Sequence, residues 1–325
     1  DFLKYTDLTE CKDLNDAALS FEPISFKFDY NSDSFLNLQQ SQIRNFEIID
    51  QKFYLENLNF VIVTKIDNEY RLKNLRTVVQ HLNNFFENPI IIGEYDDSSK
   101  INFIGNYKKH LIKPIDKGFH RNYASNELYK KIESKKILFN LESDVIFDPK
   151  GIIDCYNTML KYNLKFGMPF NGRAIWLNEN FSDDFINKGK IPSLWKNRFN
   201  LEKSLDSWFE DNGLSNYLQI KHPGFAYMVD FEMFEKLGLE NLKFKSHGFD
   251  DVERIVRFLK FGNGIYWSEF CCYHLWHPRD EKNSWYVSQN DNFQTYLQTL
   301  KMNKKELVKE INSWNFYTKN KIYTL

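Results

Sequence analysis

The strongest constraint in the chain is a buried-strand run, "FVIVT" (60–64), followed by apolar residues at helical spacing (Leu72, Leu75, Val79, Leu82 and Phe86) and then by a second buried run, "PIIIGEYDD". Strand, helix and strand at this spacing form a right-handed crossover, which requires two parallel strands in one sheet. A helix from about Asn122 to Ser134 and a third strand, "KKILFNL", continue the alternation. "KFGMPFNG" and "GFAYMVD" read as further strands, the second leading into a short helix at Phe231 to Leu237. "HGFDDVERIVRFLKFGNG" reads as a helix with Val252, Ile255, Val256 and Leu259 on one face and Gly262 as its stop. "GIYWSEFCCYHLWH" reads as one closing strand, and Asn303 to Trp314 as a terminal helix. The expected fold class is α/β.

Composition narrows the function. With 325 residues, 42% of them hydrophobic, the chain can bury a large core. Its 43 basic and 44 acidic residues nearly cancel and no basic block stands out, which argues against nucleic acid as a partner. No stretch reaches the roughly 18 to 20 apolar residues of a membrane span. Four irregularly spaced cysteines (Cys11, Cys155, Cys271, Cys272) indicate neither a disulfide framework nor a zinc finger, so a reducing, cytoplasmic setting is expected. The sequence begins without Met, which leaves an upstream anchor or targeting segment open. An aromatic content of 17% exceeds what a core requires, and some rings are expected to line a groove.

In open α/β sheets, ligands bind beyond the carboxyl ends of the strands. All three early strands end there in polar, mostly acidic residues: Thr64 with Asp67, Glu94 with Asp96 and Asp97, and Glu142 with Asp144. In Glu142-Ser143-Asp144, acids at i and i+2 can point the same way and offer hard oxygen ligands to Mg²⁺ or Mn²⁺; the plain alternative is a solvated turn before Asp148-Pro149. Asp250-Asp251, with Glu253, follows a Gly-aromatic turn at a helix start. One aspartate is explained as a cap, which leaves a carboxylate spare for general-base chemistry. His274 and His277 end the closing strand, where an imidazole can complete a metal shell. Arg121 opens a helix one element before the third strand; it is either a surface arginine or a guanidinium that reaches a phosphate or base.

Read in order, "FVIVTKIDNEYRLKNL", "PIIIGEYDDSS", "FHRNYASN", "FNLESD", "HPGFAYMVDFEMFEKLGL", "HGFDDVERIVRFLKFG" and "HLWHPRDEKN" resemble the GT-A glycosyltransferases of the family 2-like kind, especially the inverting galactosyltransferase and chondroitin-polymerase-like branch. The resemblance covers about residues 58 to 285. It implies a mixed, mostly parallel sheet flanked by helices, with an extension over residues 1–55, a transferase domain over 56–285 and a helical tail over 286–325. It also implies that Glu94 holds the uracil or ribose of a UDP-sugar, and that Arg121 and Asn126 lie near the nucleotide and diphosphate, with Thr64 and Ser143 in the same donor site. Glu142 and Asp144 stand for the family's metal motif, with Asp144 the direct ligand. Gly224 and Phe225 lie against the sugar, Asp250 holds sugar hydroxyls, and Asp251 deprotonates the acceptor. "HPRDEKN" favours His277 as the metal-binding histidine, and "YHL" favours His274. Two positions depart from the family: Glu142 replaces the first Asp of its metal motif, and Asp250 replaces the usual Glu of its catalytic pair.

The expected activity is therefore a Mn²⁺- or Mg²⁺-dependent, inverting transfer of sugar from a nucleotide-diphosphate donor to a hydroxyl of a glycan or other acceptor. Trp176 and Trp195, in "IWLNENFSDDFINKGKIPSLWKNRF", either stack on acceptor sugars or belong to the core of an inserted helical segment. Two other readings compete. A sugar-phosphate nucleotidyltransferase would carry a Gly-rich loop after the first strand, whereas here that loop is "TKIDNEYRLKN". A non-catalytic sugar- or nucleotide-binding module would have no need of Asp144, Asp250, Asp251 and His277 together.

Overall fold

The computed structural model describes residues 46–49, 52–116, 118–172, 174–177, 179–188, 223–245, 248–270, 272–278 and 289–314. The extension expected over 1–55 lies outside them except for an antiparallel pair, β1 (Phe46–Ile49) and β2 (Lys52–Leu55). The strand predicted at "FVIVT" is β3 (Leu58–Thr64), and the crossover helix is α1 (Glu69–Phe85), which leads into β4 (Ile90–Tyr95). Asn68 caps α1 by accepting the backbone N–H of Arg71 at 3.0 Å. The chain continues through β5 (Lys108–Ile112), α2 (Arg121–Tyr129), β6 (Ile137–Leu141), β7 (Val145–Phe147) and α3 (Pro149–Lys161). Next come β8 (Phe166–Met168), β9 (Ala174–Trp176), α4 (Glu179–Lys188), β10 (Ala226–Asp230) and α5 (Phe231–Lys236). The last elements are α6 (Asp250–Lys260), β11 (Ile265–Trp267), β12 (Cys272–His274), α7 (Gln289–Lys301) and α8 (Lys304–Ser313).

Seven strands form one sheet in the order β11-β8-β10-β6-β3-β4-β5. Every pair is parallel except those of β10, which runs against both β6 and β8. This is the mixed, mostly parallel sheet flanked by helices that the resemblance implies; the alternation alone predicts only its parallel part. Hydrophobic burial on both faces holds it: Phe60 of β3 packs against Phe86 and Phe139 with ring centroids 5.2 and 5.5 Å apart, and each such buried ring contributes about 1.5–3 kcal/mol. The register sets the ligand edge. Thr64 pairs with Glu94, and Ile62 pairs with Leu141, so Thr64 and Ser143 meet just beyond the sheet.

A second sheet, β7-β12-β9, is the main departure from the sequence reading. "GIYWSEFCCYHLWH" is not one strand. Its first part, β11, pairs with β8 in the large sheet, and its second, β12, leaves to pair with β7 and β9. The transfer happens over Ser268 to Phe270, where Ser268 N–H still donates to Met168 O while Phe270 O already accepts from Asn171 N–H. The small sheet is tied to α1 by the buried His81, whose Nε2–H donates to Phe147 O at 2.9 Å. The solvated turn offered as the plain alternative for Glu142-Ser143-Asp144 does not describe that segment, since Ser143 and Asp144 are buried; beyond it, Asp148 caps α3 and Pro149 opens the helix.

Candidate active site

β6 delivers Glu142, Ser143 and Asp144 to the ligand edge, where Ser143 and Asp144 turn the chain into β7. Asp144 is only 1% exposed, and three cationic or imidazole groups converge on it. Arg71, from the first turn of α1, donates to Oδ2; His277 Nε2 lies 3.3 Å from Oδ2; His274 Nε2 lies 3.7 Å from Oδ1. The small sheet makes this possible. Pairing of β12 with β7 sets His274 against Val145, and Leu275 N–H donates to Asp144 O at 2.8 Å. Trp276, between the histidines, is pinned by Ser182 Oγ at its N–H (2.7 Å) and by Asn74 Nδ2 at its carbonyl (3.0 Å). Sequence alone left the choice of histidine open, and the structure brings both to Asp144.

This donor set suits a divalent cation. Ligand atoms of Asp144, His274 and His277 all lie within 4.8 Å of one another. Asp144 Oδ1 is buried and accepts no hydrogen bond among the described residues, which costs about 1–3 kcal/mol for an unsatisfied polar atom. His277 Nδ1–H donates to Pro278 O at 2.9 Å, which fixes the ring with Nε2 facing Asp144 Oδ2. Burial alone would raise the Asp144 pKa, but His274, Arg71 and His277 outweigh it and hold the carboxyl below its ordinary range.

Glu142, expected as a second ligand, lies outside this cluster. The side chains of i and i+2 share a face only along an extended strand, and the turn at Ser143-Asp144 ends that alternation. A third of the Glu142 side chain is exposed, and Oε1 accepts from Arg121 Nη1 at 2.6 Å. The same guanidinium reaches across to α6, donating through Nη2 to Asp250 at 2.8 Å and Asp251 at 3.2 Å. Arg121 thus bridges the end of β6 to the start of α6. Burial opposes its charge, yet Asp250, Asp251 and Glu142 more than compensate and raise its pKa well above the ordinary value.

The start of α6 is unusual. The cap position is Phe249, in the left-handed region at φ 65°, and not an aspartate; Asp250 and Asp251 are the first two helical residues. A non-glycine residue held there costs about 1–3 kcal/mol. Aromatic packing offsets that cost, with Phe249 lying 5.3 Å from Phe293 and 5.9 Å from Tyr296 of α7. The sequence reading placed a helical tail over 286–325 but bounded only its helix at Asn303 to Trp314, so it missed this clamp on the acid pair.

The remaining candidates divide. Thr64 and Ser143 are hydrogen-bonded to each other (3.1 Å) beside Asp144. Phe225, at φ 77°, presents its ring edge to His274 at 5.9 Å and follows the buried Gly224, while its carbonyl accepts Glu142 N–H at 2.9 Å. Glu94, expected at the nucleotide, is fully buried and accepts from Ser99 Oγ, Lys100 N–H and Ile101 N–H, so its carboxylate folds the following loop. Asn126, also expected at the donor, instead grips the Glu240 backbone from both sides, at 2.9 and 3.0 Å. A carboxylate or amide closed on backbone groups has little capacity left for a ligand. Trp176 lies on β9 in register with His274, and Trp195 lies outside the described residues. Sequence reasoning missed Arg71 and Arg254. The motif quoted around each contains it, but nothing in spacing alone sets either apart from a surface arginine.

No protein-family profile matches the chain, and no curated protein matches it. Among solved structures, the catalytic domain of Drosophila beta1,4-galactosyltransferase 7 in complex with xylobiose aligns over 65% of this chain and 64% of its own, at 11% identity and TM-score 0.38. A mannosyltransferase from Pyrobaculum calidifontis in complex with GDP-Man and Mn²⁺ aligns over 74% of this chain and 64% of its own, at 10% and 0.45. Glucosyl-3-phosphoglycerate synthase from Mycobacterium tuberculosis, with Mn²⁺, UDP and phosphoglyceric acid, aligns over 75% and 78%, at 11% and 0.44. The chain thus spans just under two thirds of the first two. No described helix is long and apolar enough to cross a membrane.

Proposed function

We propose that this chain is a metal-dependent glycosyltransferase of GT-A type that moves a sugar from a nucleotide-diphosphate donor, a UDP-sugar, to a hydroxyl acceptor with inversion. The observation that carries the reading is the convergence of Asp144, His274 and His277 at the ligand edge of the sheet, where the neighbouring Glu142 is joined through Arg121 to the acid pair of α6. Asp144, His274 and His277 would hold Mn²⁺, whose two-nitrogen, one-oxygen donor set suits Mg²⁺ less well. When bound, the ion neutralises the diphosphate and favours its departure.

The chain's own groups supply the rest. Arg121 and Arg71, which already pair with carboxylates at this edge, are the cations proposed to meet the diphosphate, with Thr64 and Ser143 beside it. Phe225 and Gly224 present a flat surface to the sugar, and Asp250 is placed for its hydroxyls. Asp251 accepts the acceptor proton as that oxygen forms its bond to the anomeric carbon. The bond from that carbon to the phosphate oxygen breaks on the opposite face, and its electron pair leaves with the nucleoside diphosphate. Configuration inverts in one displacement. The acceptor is a glycan or other hydroxyl compound, and Trp176 and Trp195 are the aromatic candidates to stack on it.

Loss of a general base costs about two to four powers of ten in rate. Asp251→Asn should therefore bind UDP as before and lose turnover of UDP-sugars. Normal turnover in that variant would remove Asp251 from the role. Two imidazoles and a carboxylate also make up non-haem iron sites. A chain that bound Fe²⁺ but was indifferent to UDP would favour that reading.

A further inference from the structure

We propose that Arg254, locked by Glu240, is the positioning residue that sets the orientation of Asp251; the inference rests on the reading of Asp251 as the base. Arg254 sits one turn into α6 and donates through Nη1 to Asp251 Oδ1 at 3.0 Å. Arg121 reaches the same oxygen at 3.2 Å. Among the described residues both contacts fall on Oδ1, so the carboxylate is held by one oxygen and the other is left to take a proton.

Arg254 has no freedom of its own. It is 1% exposed, its Nε and Nη2 both donate to Glu240 Oε2 at 3.1 and 2.8 Å, and its guanidinium lies over the Tyr227 ring at 4.0 Å. Glu240 is fixed in turn. Its carboxylate accepts from Tyr227 OH, and its backbone is gripped by Asn126 of α2. Tyr227 OH lies 3.0 Å from Tyr129 OH, which donates to Asn140 at 2.7 Å. A rigid chain thus runs from α2 and the sheet through Glu240 and Arg254 to the carboxylate of Asp251.

A buried ion pair of this kind adds little stability over apolar packing, so geometry is the use that remains for it. The neighbouring buried pair, Arg257 with Glu253, makes the contrast: among the described residues Arg257 bonds Glu253 at 2.9 Å and Leu237 O and lies 5.3 Å from the Trp314 ring. Lysine at position 254 keeps the charge but not the planar set of donors.

The test measures UDP release from UDP-glucose, UDP-galactose and their N-acetyl forms, with water as acceptor, and calorimetric affinity for UDP with Mn²⁺. The variants are Arg254→Lys, Glu240→Gln, Asp251→Asn, the double Arg254→Lys/Asp251→Asn, and Arg257→Lys as the structural control. Displacing a reacting group by about 1 Å costs about a hundredfold, so Arg254→Lys should lower kcat by about 10–100-fold with UDP affinity within about twofold. Glu240→Gln should lower kcat in the same direction, and Arg257→Lys should lower the melting temperature without that loss. In the Asp251→Asn background, Arg254→Lys should cost nothing further, because groups that act as a unit are not additive. An equal loss in both backgrounds, or UDP affinity falling in step with kcat, overturns the positioning role while leaving Asp251 as base. If Asp251→Asn keeps full turnover, or the wild-type chain releases UDP from none of the donors, the function reading fails and takes this proposal with it.

Discussion

His81 makes an acid-sensitive clamp between α1 and the strand that follows Asp144. Its Nε2–H donates to Phe147 O, its ring lies 5.1 Å from Phe85, and burial lowers its pKa from 6.5 to about 4 against the opposing effect of that hydrogen bond. The folded chain therefore keeps the ring neutral where the unfolded chain protonates it. Below pH 6.5 the unfolded state binds more protons, so stability falls as the pH falls from about 6.5 to about 4 and levels off beyond. The full effect is about 3 kcal/mol, of which about 2 kcal/mol is lost by pH 5. Thermal unfolding of wild type and His81→Gln at pH 8, 6 and 5 isolates it, since glutamine keeps a donor for Phe147 O but cannot titrate and every other group cancels in the comparison. At about 2–4 °C per kcal/mol for a chain of this size, the wild type should lose about 5 °C more than the variant between pH 8 and pH 5. Parallel pH profiles would refute the reasoning, because the ring would then have no differential protonation between the two states.

The metal cluster predicts an asymmetry between acids two residues apart. Asp144→Asn or His274→Ala should abolish measurable Mn²⁺ binding by calorimetry, whereas Glu142→Gln, whose side chain faces Arg121, should change it by less than about tenfold; equal losses would return Glu142 to the ligand shell. Gly151→Ala should destabilise. Its Cβ would meet Pro169 O at 2.5 Å, a backbone atom that cannot swing aside, so a clash of about 1–3 kcal/mol outweighs the gain of about 1 kcal/mol in helix propensity and should lower the urea midpoint. A higher midpoint would show that the α3 start yields to the added methyl.

Much of the fold is legible in the sequence because periodicity reports burial directly. β3, α1, β4, β6, β10 and α6 fall where the apolar residues place them, and the parallel register then brings Thr64, Glu94 and Ser143 to one edge without further information. What periodicity cannot report is which partner a short strand chooses. β7, β9 and β12 are three residues each, too short to show a period, yet their pairing is what carries His274 to Asp144. Likewise, a carboxylate's direction after a turn is a tertiary property. Glu142 and Asp144 look alike in "FNLESD" and meet different partners in space, Arg121 for one and Arg71 with two imidazoles for the other. Glu94 and Asn126 carry the right chemistry for a donor site, but the loop after β4 occupies the first and the distant Glu240 backbone the second. α7 went unbounded within the expected helical tail because the stretch beyond Arg279 is polar. Its buried Tyr296 and Leu300, with Phe244 and Val256, form a small core whose logic appears only once α6 is beside it.

Calorimetric titration of UDP into the chain, with and without Mn²⁺, reaches the heart of the matter. Mn²⁺ should tighten UDP binding by at least about tenfold (about 1.4 kcal/mol), and His274→Ala should erase the difference. UDP affinity indifferent to the ion, or a difference that survives in His274→Ala, would mean that Asp144 and the two histidines do not form a donor site.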